Sequence, residues 1–163
     1  MKDAFLLARI SILMILWGVA PSTQSADSSF IAVLSPDRVF PIEGQSKGCA
    51  CAVFREGAQS PAASVVLSIQ SADGVARARI SGKDIDLRHV SHSSGSSGQN
   101  AAVTNVFAST SVKMTLRSSR VRFERACRVY PATPTEGSCF TGSLTVSEGE
   151  RKETIPVTQI CGC

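Results

Sequence analysis

Val75-Ala76-Arg77-Ala78-Arg79-Ile80, then Ser81-Gly82-Lys83, then Ile85-Asp86-Leu87-Arg88: the fold class turns on this stretch. Both runs alternate apolar and charged residues. Successive side chains of a strand point to opposite faces, so a period of two marks a strand on each side of the break. Ser81-Gly82-Lys83 carries the turn chemistry, and the whole reads as a β-hairpin. Arg77 and Arg79 share one face, while Val75, Ala76, Ala78 and Ile80 leave the inward set open.

Working outward, the same signals recur. Upstream, Cys49-Ala50-Cys51-Ala52-Val53-Phe54 is a strand candidate with Cys49, Cys51 and Val53 on one face. Ala63–Ile69 is another, Phe30–Leu34 a short first strand, and Val39–Ile42 a resumption of extended chain. Downstream come Val103–Phe107, Val112–Leu116 and a run from Arg120 to Tyr130. In that run Val121, Phe123, Cys127 and Val129 share one face, with Arg125 the exception, and Arg120, Arg122, Glu124 and Arg128 the other. Gly142–Val146 and Thr154–Thr158 flank Glu148-Gly149-Glu150 as a second hairpin. Pro156 has no N–H to give a ladder, which marks the last strand as an edge or as starting there. No window beyond the N-terminus carries a helical period. Roughly nine or ten short strands with frequent turns predict an all-β fold, a small antiparallel β-sandwich or barrel stapled by disulfides.

The N-terminus has a different character. Met1-Lys2 and Arg9 precede the uncharged run Ile10–Ala20, and small polar residues follow to Ala26. Basic start, short apolar core and small-residue tail are the order of a secretory signal. The core is about half the roughly 20 residues that span a bilayer, so removal rather than anchoring is expected. The reading is therefore a signal peptide over 1–26 and a single all-β domain over 27–163, periplasmic or secreted, without a membrane anchor in mature form. Loss of the signal removes two basic residues and one acidic residue from a formal net charge of +4. The mild basic excess that remains singles out no partner.

In an exported chain, an even number of cysteines reads as a disulfide framework. The six here are Cys49, Cys51, Cys127, Cys139, Cys161 and Cys163. Cys127 and Cys139 close a short loop across Pro131–Gly137. A bond within either Cys-x-Cys would close a strained small ring, so Cys49 and Cys51 are expected to pair with Cys161 and Cys163, in an order left open. A rival reading makes the two Cys-x-Cys pairs a four-thiolate site for Zn²⁺ or Cu(I), the donor set of a metal carrier. A third makes Cys161-Gly162-Cys163 a redox pair, although no thioredoxin-like strand–helix pattern surrounds it. The disulfide reading calls for no cofactor and no metal.

Other chemistry is sparse. His89 and His92 stand near Asp84, Asp86 and the serines Ser93, Ser94, Ser96 and Ser97, the residue types of a hydrolase. Nothing sets a serine on a strained strand–helix elbow, so no catalytic residue is assigned. The stretch 91–102, rich in Ser and Gly, is read as a mobile loop and a candidate partner contact. Arg120, Arg122 and Arg128 beside it form a basic face, which also suits a solvated strand edge. Without aromatics between the basic residues there is no stacking platform for nucleic acid.

From Ala78-Arg79-Ile80-Ser81-Gly82-Lys83-Asp84-Ile85-Asp86-Leu87 to Ser94-Gly95, and over about 75–127 as a whole, the layout resembles the small periplasmic inhibitors of c-type lysozyme. The resemblance implies a β-barrel, cysteines joining early and late strands, and a Ser-Gly element that enters the lysozyme cleft. It would give Ser94 and Gly95 the contact role. Here the loop continues Ser96-Ser97-Gly98-Gln99-Asn100, where the family has a tyrosine. The expectation is an exported module that binds or inhibits a protein or envelope component and does no catalysis.

Overall fold

The hairpin at the centre of the sequence closes through a two-residue turn in which Ser81 and Gly82 both take positive φ, 49° and 77°. That is the type I′ geometry, whose twist matches the strands it joins. The computed structural model describes residues 30–40, 49–57, 64–71, 73–95, 101–121 and 138–162. They form β1 (Ile31–Ala32), a 3₁₀ turn at Pro36–Arg38, β2 (Ala50–Arg55), β3 (Val65–Gln70), β4 (Val75–Ile80), β5 (Lys83–Ser94), β6 (Ala102–Ala108), β7 (Val112–Arg120), β8 (Ser138–Glu148) and β9 (Arg151–Gly162). From β2 to β9 each strand pairs antiparallel with the next, and β9 returns to β2. Of the two expected architectures the chain takes the barrel, closed and up-and-down, with eight strands. β1 is additional. It pairs with Ile80 and Arg79 of β4, beyond the last β3–β4 pair at Leu67 and Ala78.

The inward series of each strand is readable by alternation. β4 contributes Ala76, Ala78 and Ile80, β7 Val112, Met114 and Leu116, β8 Leu144 and Val146, and β9 Ile155 and Val157, all buried. β2 and β3 do not alternate because they are buried on both faces. Their outer side carries a second cluster of Leu34, Ala52, Phe54, Val65, Cys139 and Ile160. A strand covered on both sides reads as a continuous apolar run, as Ala50–Phe54 and Val65–Ile69 do.

The outer cover is supplied by residues 30–40. Leu34 N–H donates to Val65 O at 2.8 Å and Phe40 N–H to the Ser68 hydroxyl at 2.9 Å. Arg55 donates to Ile31 O at 2.8 Å. Phe30 is buried at the end of the barrel where the β4–β5 and β8–β9 turns lie, with the Arg151 guanidinium 4.4 Å from its ring centroid. Farther along, Arg77 stacks at 4.1 Å on the Phe40 ring. Asp84 and Asp86 of β5 meet Arg38 at 3.8 and 3.5 Å, Arg79 at 3.9 Å and Arg77 at 3.3 Å. The alternating charges of the hairpin thus fasten the N-terminal segment to the barrel wall. As part-exposed pairs, each contributes at most about 1 kcal/mol.

Several expectations are corrected. The first strand shrinks from Phe30–Leu34 to two residues, whereas Val39 is extended as expected without joining a strand. Residues 91–94, expected in a mobile loop, belong to β5, and Gly95 N–H still donates to Ala102 O at 2.8 Å. Pairing with β6 satisfies the backbone there without any need for apolar side chains. Pro156 lies inside β9, between β8 and β2, because a closed barrel has no edge at that strand. Its carbonyl accepts from Glu56 N–H at 3.1 Å, so its nitrogen also faces β2, just where β2 ends at Arg55. Only the return donation from position 156 to Glu56 is missing, at the very end of β2. The segment 1–26, expected to be a signal, and Cys127, Cys163, Arg122, Arg125, Arg128 and the run 122–130 lie outside the described residues.

Gly142 marks a place where neighbouring strands leave no room for a side chain. A Cβ there would run into Arg117 O and stand 2.7 Å from Ser118 Cα, both backbone atoms of β7. Backbone cannot swing aside as a side chain does. Gly142→Ala is expected to cost about 1–3 kcal/mol, as overpacking does, read as a lower midpoint in urea unfolding.

Candidate functional site

The barrel has two unlike ends. At the end of the short turns the inward residues are apolar and Phe30 is buried among them. At the other end every inward series changes character at about the same level. On β7, Val112, Met114 and Leu116 give way to Ser118 and then Arg120; on β9, Ile155 and Val157 give way to Gln159. On β6, Phe107 gives way to Asn105, and on β5, Leu87 gives way to His89. The result is a polar mouth above an apolar floor.

Two of these groups are buried and joined. The Ser118 hydroxyl donates to Gln159 Oε1 at 3.2 Å, and Gln159 Nε2 donates to Cys161 Sγ at 3.1 Å. Cys161 is bonded to Cys51, which lies directly opposite it across the β2–β9 pair. The bridge therefore sits at the level of the mouth and ties the two strands that close the barrel. It fulfils the expectation that Cys51 pairs with one of the last two cysteines. Cys49 and Cys139 are also disulfide-bonded, so no described cysteine is a free thiol. The Cys127–Cys139 pairing and the place of Cys163 fall outside the described residues.

The wall of the mouth is highest at β5 and β6. Beyond Leu87 no residue of β5 is buried, and Val90 is 61% exposed. The last β4–β5 pair is Val75 with Arg88, and His89 N–H reaches Gly74 O at 2.8 Å. From Val90 to Ser94 the β4-side edge of β5 has no strand partner among the described residues. This stretch is nonetheless held by β6 through pairs from His89 with Phe107 to Ser94 with Val103. It is an exposed edge on a firm support.

Ser94 and Gly95 stand at the tip of this wall. Arg120 ends β7, one strand beyond β6, and is exposed. At about 4.8 Å per strand step, the tip of β5 and the end of β7 are roughly 10 Å apart. The structure thus places Ser94, Gly95 and Arg120 on one rim. It separates the residue types of a hydrolase: Asp84 and Asp86 are bound to arginines near the opposite end, whereas His89 and His92 both contact Asn105. Sequence reading missed Asn105, Ser118 and Gln159. Polar residues inside otherwise apolar strands were the available signal, but only a barrel turns them toward a common axis.

No family model matches the chain, no curated protein is similar to it, and no solved structure matches its fold.

Proposed function

We propose that the protein is an exported binding or inhibitory module that engages a protein or envelope component through the rim at His89–Gly95 and Arg120, without catalysis. The observation that carries this reading is the open edge of β5. A sheet edge exposed on both faces and unpaired among the described residues, with an apolar Val90 at its start, is a ready contact for an incoming chain. Mounted on a closed barrel, it costs little ordering entropy on binding. Both described histidines are occupied with Asn105, which fits a recognition surface better than an acid–base site. The Cys51–Cys161 bond uses sulfurs that a thiolate metal carrier or dithiol redox protein needs free.

The partner implied by the resemblance is a c-type lysozyme, met by Ser94 and Gly95. Added in equimolar amount, the mature protein is expected to slow clearing of a cell-wall suspension by such a lysozyme. Ser94→Arg and Gly95→Trp are expected to relieve the inhibition by more than about tenfold, the loss of roughly 1.4 kcal/mol or more of binding. Undiminished clearing at large molar excess removes lysozyme as the partner.

A further inference from the structure

His89 and His92 are three positions apart on one strand, and in a regular strand an odd separation sends side chains to opposite faces. The register of β5 on β6 changes that. His89 pairs with Phe107, Ser91 with Val106 and His92 with Asn105, so Val90 is an extra residue and the strand carries a bulge. Bulges re-aim side chains. Here the bulge brings both imidazoles to one face, where His89 Nε2 lies 3.3 Å and His92 Nδ1 lies 3.0 Å from the same atom, Asn105 Oδ1. The His89 ring is further fixed by an edge contact with Phe107, centroids 5.3 Å apart.

We propose that His89 Nε2, His92 Nδ1 and Asn105 Oδ1 form a binding site for a divalent transition ion of the zinc, nickel or copper(II) type. In a tetrahedral site with bonds of 2.0–2.1 Å, adjacent donor atoms stand about 3.3 Å apart. The two nitrogens stand near that spacing from the amide oxygen, and an ion would take the place of the shared hydrogen bonds once the rings turn toward it. Imidazole is the commonest protein donor for these ions, and the amide oxygen is a weaker third. Among the described residues no group of three His, Cys, Asp or Glu comes together, which sets this site apart from a closed structural centre. All three residues are solvent-accessible, leaving entry unobstructed and further coordination positions open to water or to an anionic donor. The site shares His89 and His92 with the rim proposed above, but ion binding stands or falls whichever partner that rim meets.

The test uses tag-free mature protein titrated separately with Zn²⁺, Ni²⁺ and Cu²⁺ by calorimetry. One ion per chain is expected for at least one of the three. His89→Ala and His92→Ala are each expected to lower affinity by at least the 10–100-fold that even outer-sphere changes cost. Asn105→Leu should weaken binding, whereas Asn105→Asp should tighten it by supplying a carboxylate. The chain has only two histidines, so ring-proton resonances of the unsubstituted protein report on this site alone. Substoichiometric Cu²⁺ is expected to broaden both signals together, a readout that needs no variant. Absence of binding for all three ions, broadening of one histidine without the other, or affinity unchanged in the His89→Ala/His92→Ala protein would overturn the proposal.

Discussion

Reduction of all disulfides is expected to remove most of the stability of the barrel. The Cys51–Cys161 bond spans a sequence separation of 110 residues. In the chain-entropy account, closing a loop of that length is worth roughly 5 kcal/mol, against a total of about 5–15 kcal/mol for a domain of this size. Urea unfolding with and without reductant measures the difference, and coincident curves would show that the barrel stands without its crosslinks. A narrower comparison reveals connectivity. If Cys49 is joined to Cys163, the long loop stays closed in Cys51→Ala/Cys161→Ala, and the loss is confined to local packing. If Cys49 is joined to Cys127 or Cys139, a shorter but still long loop stays closed, part of the loop entropy returns to the unfolded chain, and the double variant falls further.

Leu144→Ala is expected to be the most damaging single truncation in the barrel wall. Leu144 is fully buried and faces Leu116 on β7 and Ile155 on β9, which are themselves buried. Removing its branched end leaves a cavity bounded by ladders on both sides, which cannot collapse as a loop-lined site can. The cost is about 2–5 kcal/mol, read as a shift of the urea midpoint at constant slope. Leu116→Ala in the same background should cost less than it does alone, because the two deletions share one cavity. Strict additivity would mean that the two side chains do not share a packing site.

What could be read in advance follows from the range over which each signal acts. Alternation at Val75–Ile80 and turn chemistry at Ser81-Gly82 are local, and both survive intact in β4, β5 and the type I′ turn. The paired Cys-x-Cys motifs predict a long-range tie, and Cys51–Cys161 supplies it. The length of β5 was not legible, because Ser91–Ser94 lack strand formers and gain order only from pairing with β6. The setting of Pro156 was hidden for a related reason: its missing donor matters only relative to where β2 stops. The rim itself, and the convergence of His89 and His92 on Asn105, depend on one extra residue at Val90. Reading their odd separation as opposite faces is sound for a regular strand and wrong for a bulged one.

The return of β9 to β2 has a consequence for the chain before it is fully folded. Seven of the eight pairings join neighbours in sequence, while this one joins the first and last strands of the barrel. Until it forms, β2 and β9 are free edges, and Ala50-Cys51-Ala52-Val53-Phe54 is apolar on both faces. Exposed apolar edges of this kind pair readily with other copies and seed aggregation. Oxidation at Cys51 and Cys161 holds those two edges against each other and withdraws them from intermolecular contact. The bond therefore guards solubility during folding as well as stability afterwards, and a chain kept reduced at high concentration is expected to precipitate where the oxidised chain stays in solution.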